Sequence, residues 1–226
     1  KLKLQCFPIY GFGYDEVHDD YKVVAIMYHH DVDCRIDDSE IQVYSLKSDS
    51  WTSVDYSGES LFMNNGAGCY DEYLEFSAVF VDGKLYWNSF PSNMPRNIIS
   101  FDIANEKWDK MEKPSFVVGE SEWGVDRLGS DLCVFIDYNG THSDIWVMNK
   151  YGVETSWIRK HVIRYPTGVQ LGLPYFISNK GEMFNEDRCA FMIYDSKDDS
   201  IRHIHITNLR GNHDMIIYNE SLVSPF

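Results

Sequence analysis

The densest run of metal-binding residue types is His29-His30-Asp31-Val32-Asp33-Cys34, five imidazole, carboxylate and thiol groups in six consecutive positions. Zinc takes such donors in a tetrahedral cage. Neighbouring residues rarely converge on one ion unless the loop folds back, and no distant pair supplies a matching ligand spacing. The run therefore reads as a solvated, variable loop. His203 and His205 alternate on one strand face, a spacing that can bind zinc but is equally that of a wet strand face. Asp19-Asp20, Asp37-Asp38 and Asp198-Asp199 offer the paired carboxylates of a glycosidase. All three pairs fall in turns or loops, where aspartate is favoured for backbone geometry. Trp51, Trp108 and Trp157 could stack on sugar rings, yet they hold matched positions of a repeat, which favours packing. No Ser-His-Asp arrangement, phosphate-binding loop or dinucleotide fingerprint occurs. The expectation is a binding protein, with no catalytic, cofactor or metal site.

Any functional group must be positioned by a phrase that recurs four times: a short apolar strand, a tight polar turn, then a large apolar residue. It reads EIQVYSLKSDSWTSV at 40–54, NIISFDIANEKWDKM at 97–111, DIWVMNKYGVETSWIRK at 144–160 and CAFMIYDSKDDSIRHI at 189–204. Aligning Tyr44, Phe101, Met148 and Tyr194 sets Ile41, Ile98, Ile145 and Phe191 three residues earlier in each copy. The closing residue follows seven positions on at Trp51, Trp108 and Ile201, and nine on at Trp157. Upstream of each phrase lies a second strand pair with its own turn: the acidic DEVHDD at 15–20, Asp82-Gly83, Gly129-Ser130-Asp131 and Asn179-Lys180-Gly181. Asp-Gly suits a two-residue hairpin whose residues take positive φ. Each repeat is thus four antiparallel strands, about 40–50 residues, the size of a propeller blade. Alternation dominates over helical spacing throughout. A two-sheet sandwich could use similar strands, but the regular recurrence predicts an all-β, kelch-like propeller of about four blades, part of a larger ring. The repeats span approximately 7–54, 76–111, 125–160 and 174–206, with a C-terminal strand at 214–225. A single repeat cannot bury its apolar face alone, so neighbours must stack.

In such a blade the first and third turns lie at one end, and the middle loop and inter-blade connection at the other. Most first and third turns here are short, while the middle loops vary and the inter-blade segments are long. Variable loops gathered at one end mark that end as the binding face.

The net charge of −15 and sequence pI near 4.8 disfavour nucleic acid, whose phosphates the summed field would repel. The same field would steer a basic partner towards the surface. No apolar run approaches the roughly 18 residues of a membrane span. Five cysteines without a CxxC pair fit neither a disulfide framework nor a zinc site, and predict a reducing compartment. Cys133 and Cys189 lie in apolar strands and read as small core residues.

From Gly11 to Ile26 the sequence GFGYDEVHDDYKVVAI resembles the G-F-G-[FY]-D-x-x-x-x-D-Y-K-V-V motif of plant F-box-associated domains. The segment from Glu40 to Trp51, FVDGKLYW at 80–87 and ESLVSP at 220–225 are similar to later parts of the same family, so the resemblance spans nearly the whole chain. Physically, Gly11 and Gly13 permit a close backbone approach or a bulge, and Asp15 and Asp20 bracket a turn by capping local amides. The resemblance implies a kelch-like propeller that serves as substrate receptor of an SCF-type ubiquitin ligase. An F-box would bind the Skp adaptor and, through it, the cullin. No F-box stands in these residues, and Lys1 reads like the interior of a gene product. S-locus F-box proteins, which recognise basic secreted ribonucleases, are similar in style, as are general F-box/kelch-repeat proteins. The implied location is cytoplasmic, and also nuclear.

The expected partner is a protein, bound through aromatic, charged and methionine side chains of the variable loops. The candidates are His29, His30, Arg35, Tyr70, Phe90, Met94, Arg96, Trp123, His142, Arg164, Tyr165 and Arg188. Two other classes compete: a propeller glycoside hydrolase or lectin-like glycan binder, and a kelch-like scaffold unrelated to ubiquitin.

Overall fold

The computed structural model describes residues 4–5, 9–30, 36–54, 78–88, 97–112, 114–117, 121–164, 176–178, 180, 182–187, 190–195, 197–198 and 200–204. Among them the chain forms four antiparallel sheets. The first contains β1 (Leu4–Gln5), β2 (Ile9–Asp15), β3 (Asp20–His30), β4 (Ile36–Ser45) and β5 (Ser50–Ser53). The second holds β6 (Val79–Val81), β7 (Lys84–Asn88), β8 (Ile98–Asp102) and β9 (Lys107–Met111). The third holds β10 (Glu122–Leu128), β11 (Asp131–Asp137), β12 (His142–Met148) and β13 (Trp157–Arg164). The fourth holds β14 (Phe176–Ile177), β15 (Glu182–Asp187), β16 (Ala190–Asp195) and β17 (Ser200–Ile204).

The recurring phrase is the hairpin of the last two strands. Its aligned residue sits directly opposite its closing residue in every copy: Tyr44 faces Trp51, Phe101 faces Trp108, Met148 faces Trp157 and Tyr194 faces Ile201. The wider spacing in the third copy is taken up by a 3₁₀ turn at Glu154–Ser156. Tight turns close on residues in the left-handed region. Asp82 and Gly83 both lie there (φ 48° and 73°), as a two-residue hairpin requires. Asp19, Asp49 and Glu106 close the turns of four residues that precede β3, β5 and β9. Tyr14 donates its hydroxyl to Asp19, and Tyr44 donates to Asp49 at 2.6 Å, so one device serves two turns.

The sheets stack, and the core lies between them. Val24, Ile26, Ile41 and Val43 of the first sheet meet Leu85, Ile99, Phe101 and Ile103 of the second. Val81, Tyr86 and Ile98 of the second meet Leu132, Val134, Met148 and Trp157 of the third. Cys133, Phe135, Ile145 and Val147 of the third meet Met183, Met192 and Tyr194 of the fourth. Cys133 is fully buried, as a small core residue would be, and burial pushes its thiol up. An inner sheet with apolar partners on both faces is blade stacking, not a two-sheet sandwich.

In each later sheet one cross-strand row points back at the sheet before it. That row is Phe80-Leu85-Phe101-Trp108 in the second sheet and Ile177-Met183-Tyr194-Ile201 in the fourth, with Met148 and Trp157 its core in the third. The matching row of the first sheet is Phe12-Val23-Tyr44-Trp51. The three matched tryptophans do not all pack as their repeat positions predict. Trp157 is buried between sheets and Trp108 packs against the first interface, but Trp51 is 50% exposed. Its row belongs to the first sheet, and no earlier sheet stands before it among the described residues.

The GFGYD…DYK segment ties the first two sheets together. A Cβ on Gly11 would lie 2.7 Å from Leu85 Cδ1 and 2.8 Å from Trp87, and one on Gly13 would collide with Ile103 and come within 2.5 Å of Phe80. The glycines let β2 lie flat on the second sheet. Asp15 accepts from the Val17 and His18 amides, from His18 Nδ1 at 2.7 Å and from Lys22 Nζ at 3.0 Å. Burial alone would raise this carboxyl, but the hydrogen bonds from His18 and Lys22 outweigh it and hold the pKa at about 2. Asp20 reaches past its own turn to the next one. It accepts from Ser45 Oγ at 2.6 Å and from the Lys47 amide at 2.8 Å, which corrects the expectation of a purely local cap.

Candidate interaction surface

Strand order fixes two ends for every sheet. The turns β2–β3, β4–β5, β6–β7, β8–β9, β10–β11 and β12–β13 share one end, and β3–β4, β7–β8 and β11–β12 the other. Loop length alone does not separate them as cleanly as the sequence implied. The third turn of the third sheet runs from 149 to 156, whereas the middle loop of the fourth is only residues 188–189. The asymmetry is carried instead by the inter-sheet connections, 54–78, 112–121 and 165–175, all at the middle-loop end.

Strand register puts His29 and His30 at that end, opposite Asp38 and Ile36 where β3 passes into the loop at 31–35. Arg35, Tyr70, Phe90, Met94, Arg96, Tyr165 and Arg188 lie outside the described residues, as do Asp31 to Cys34 of the possible metal run. His203 is exposed on β17, and among the described residues no three His, Cys, Asp or Glu gather where they could hold a metal ion. Trp123 starts β10 at the loop end but is only 4% exposed, packed with Val117, Val134 and Ile136. Its size and apolarity have drawn it into the space between the second and third sheets, so it presents almost nothing to a partner. Trp123 therefore moves from candidate contact to core.

His142 and Arg164 are brought together. They are cross-strand partners at the end of the third sheet, His142 opening β12 and Arg164 closing β13. With Thr141 and Val162 they line an open hollow. The His142 ring in its wall is backed by Tyr138, which stacks on it with centroids 4.4 Å apart and planes 9° from parallel. The stack is made by the turn. Asn139 and Gly140 both adopt positive φ, Gly140 donates to Asp137 Oδ1 at 3.2 Å, and Thr141 Oγ1 donates to the Tyr138 carbonyl at 2.7 Å. Thr141 Oγ1 also lies 2.9 Å from His142 Nδ1, which holds the imidazole plane.

The same face of the sheet continues inward through alternate residues. Arg159 pairs with the buried Asp144 at 3.3 Å and sits 5.9 Å from the Trp146 ring centroid. Phe116 stacks on Trp146 with ring centroids 3.9 Å apart. Burial and the Asp144 charge push the Tyr138 hydroxyl up, so it stays a protonated donor at neutral pH. The result is a half-open aromatic and cationic corner in an otherwise acidic chain. It can hydrogen-bond, stack and attract carboxylates. Tyr138, Thr141 and Arg159 were missed in the sequence. The available signal was Asn139-Gly140-Thr141, a three-residue hairpin loop containing glycine whose flanking residues, Tyr138 and His142, stand against each other.

No helix among the described residues is long and apolar enough to cross a membrane. Among proteins of known identity, F-box/kelch-repeat protein At3g23880 of Arabidopsis thaliana is 26% identical over 223 residues, covering 98% of this chain and 57% of that protein. The F-box protein CPR1 of the same plant is 28% identical over 179 residues, covering 73% of this chain and 42% of that one. The chain thus spans about half the length of the curated relatives it matches. Among solved structures, a mutant of the Aleuria aurantia lectin in complex with Fucalpha1-6GlcNAc aligns with a TM-score of 0.46 at 12% identity, over 88% of this chain and 62% of that one. TolB from Acinetobacter baumannii aligns at 0.43 and 12% identity, over 92% of this chain and 45% of that one. The F-box associated beta propeller domain family matches residues 2–225. With four stacked antiparallel sheets along that span, the chain belongs to the F-box associated beta propeller domain family.

Proposed function

We propose that this domain is the non-catalytic, substrate-recognition part of an F-box protein, which holds a target protein for ubiquitylation by an SCF-type ligase. An F-box elsewhere in the full protein would engage the Skp adaptor and, through it, the cullin. The work would take place in the cytoplasm or nucleus. The observation that carries the reading is the Tyr138–His142 stack beside Arg164 at the loop end of the third sheet. Aromatic and arginine side chains held in place by a turn are the usual centre of a protein interface. His29 and His30 lie at the same end of the first sheet by register, and Arg35, Tyr70, Phe90, Met94, Arg96, Tyr165 and Arg188 are proposed to extend that surface. Trp123 supports it from within.

A net charge of −15 favours a basic target overall. An S-ribonuclease-like protein is one such target. The local corner of Arg164, Arg159 and His142 would receive an acidic or carbonyl-rich segment of it.

Affinity capture with the full-length protein, proteasome blocked, tests the reading. Skp adaptor and a target should be recovered together, and Arg164→Glu should release the target while keeping the adaptor. Capture without any Skp adaptor would remove the ligase role. Equal loss from Lys107→Glu, at the tight-turn end, would place recognition on the other face.

A further inference from the structure

Strand β13 is the outermost of the third sheet, and among the described residues no strand pairs with its far side. It is eight residues long, whereas the outer strands of the other sheets, β5, β9 and β17, have four, five and five. Shortness is a usual protection of a sheet edge against pairing, and β13 lacks it. Its sequence, WIRKHVIR, carries Arg159, Lys160 and Arg164 and no acidic residue, in a chain of net charge −15. Among the described residues only Arg159 of these three meets a carboxylate, that of Asp144.

Register decides which backbone groups the edge offers. Tyr138 N–H donates to the His142 carbonyl at 3.0 Å, so His142 turns its peptide groups towards β11, and Asp144 and Trp146 do so by alternation. Their partners on β13 are Arg164, Val162 and Arg159. These three residues therefore point their N–H and C=O groups away from β12, into the open. Lys160 has no partner on β12 and forms a bulge, which keeps Arg159 and Val162 in phase as successive outward positions. All three side chains are exposed, and they share the face on which His142 stands. Along the edge the order is cation, apolar, cation, with Val162 43% exposed at its centre.

We propose that β13 takes up an extended acidic segment of the target protein as an antiparallel fifth strand of the third sheet. The outward N–H and C=O groups of Arg159, Val162 and Arg164 supply the pairing, and their side chains supply the selection. The residues opposite them are acidic, apolar and acidic, so the segment reads acidic-x-apolar-x-acidic. Charge complementarity picks this occupant out of an otherwise repelling surface. The inference rests on the reading of this end of the third sheet as the recognition surface, and names the ligand it takes.

The test titrates the full-length protein with fluorescent peptides and reads anisotropy. The probe carries Glu-Thr-Val-Thr-Glu flanked by threonines. A second peptide has the same residues with the two glutamates adjacent, and a third is the probe N-methylated at its valine. The probe should bind, and both altered peptides should bind about tenfold more weakly. Arg164→Glu should weaken the probe similarly, as should Val162→Pro, which removes an N–H that the sheet itself does not use. If Val162→Pro fails to fold, the N-methylated peptide on the parent protein asks the same question. Equal binding of the rearranged peptide would overturn the inference in favour of charge attraction alone. Equal binding of the N-methylated peptide would overturn it in favour of contact without strand pairing. If the probe does not bind while Arg164→Glu still releases the target in affinity capture, strand addition is overturned and the recognition reading stands. Probe binding with the stated dependence, in a protein that recovers no Skp adaptor, would support strand addition and remove the ligase role.

Discussion

Lys22 donates from Nζ to the Ile103 carbonyl at 3.0 Å, across 81 residues of sequence, and the same ammonium lies 3.1 Å from Glu106. Asp15 holds the other side of it at 3.0 Å. One lysine from the first sheet thereby fastens the β8–β9 turn of the second. Its side chain is 8% exposed, and burial, which would lower its pKa, is outweighed by the hydrogen bonds it donates to the two carboxylates, so it stays charged. The D-x-x-x-x-D-Y-K spacing therefore builds the scaffold, at the end of the sheets opposite the proposed recognition surface.

Replacing Lys22 by methionine should destabilise the domain by about 3 kcal/mol, because it strands the buried Asp15 carboxylate. The double change with Asp15→Asn should cost less than the sum of the two, the mark of a coupled pair. Urea unfolding of the two single variants and the double variant measures both quantities. Additive losses would show that the pair does not act as a unit.

Acid should weaken the same fastening. The Asp15 carboxyl titrates at about 2 in the fold against 3.8 for the free group. A lowered carboxylate contributes stability that is complete above the ordinary value and is lost as pH falls through the folded one. The urea midpoint should therefore drop between about pH 4 and pH 2, and Asp15→Asn should flatten that limb. An unchanged acid limb in the variant would assign it to other carboxylates.

The hairpins were legible in the sequence, and the contacts between them were not. Tyr44 and Trp51, or Phe101 and Trp108, are a few residues apart, and alternation plus a polar turn fixes their pairing locally. The reach of Lys22 to Ile103 leaves no local trace, since any lysine on a strand looks alike until the sheets stack. Trp51 and Trp123 failed in opposite directions for one reason. Residue type and repeat position predict a tendency to be covered, but which neighbour does the covering is a tertiary fact. Trp51 has no sheet before it among the described residues, whereas Trp123 has one beside it.

Gly13→Ala should cost about 1–3 kcal/mol through overpacking, as the new methyl meets Ile103 and Phe80 at the first interface. Gly83→Ala adds its methyl in open space, and its cost comes only from the positive φ of 73°. Comparing Gly13→Ala with a Gly13→Ala/Ile103→Val pair separates the two mechanisms. Relief of the first by the second, read in thermal unfolding, is expected only if contact with Ile103 is the cause.

At the proposed recognition end, His142→Ala and Arg164→Glu should weaken target capture at least tenfold while leaving the unfolding midpoint within about 0.5 kcal/mol of the parent, because both side chains stand at a solvent-facing strand end. Trp146→Ala should do the reverse. It removes the ring that stacks on Phe116 and lies under Arg159, so stability falls by about 3 kcal/mol or more and capture is lost only as far as the fold is lost. Measuring capture and unfolding on the same preparations distinguishes contact from support. If His142→Ala bound its target normally, the stacked corner would be a structural end of the third sheet, and recognition would pass to the connections beside it.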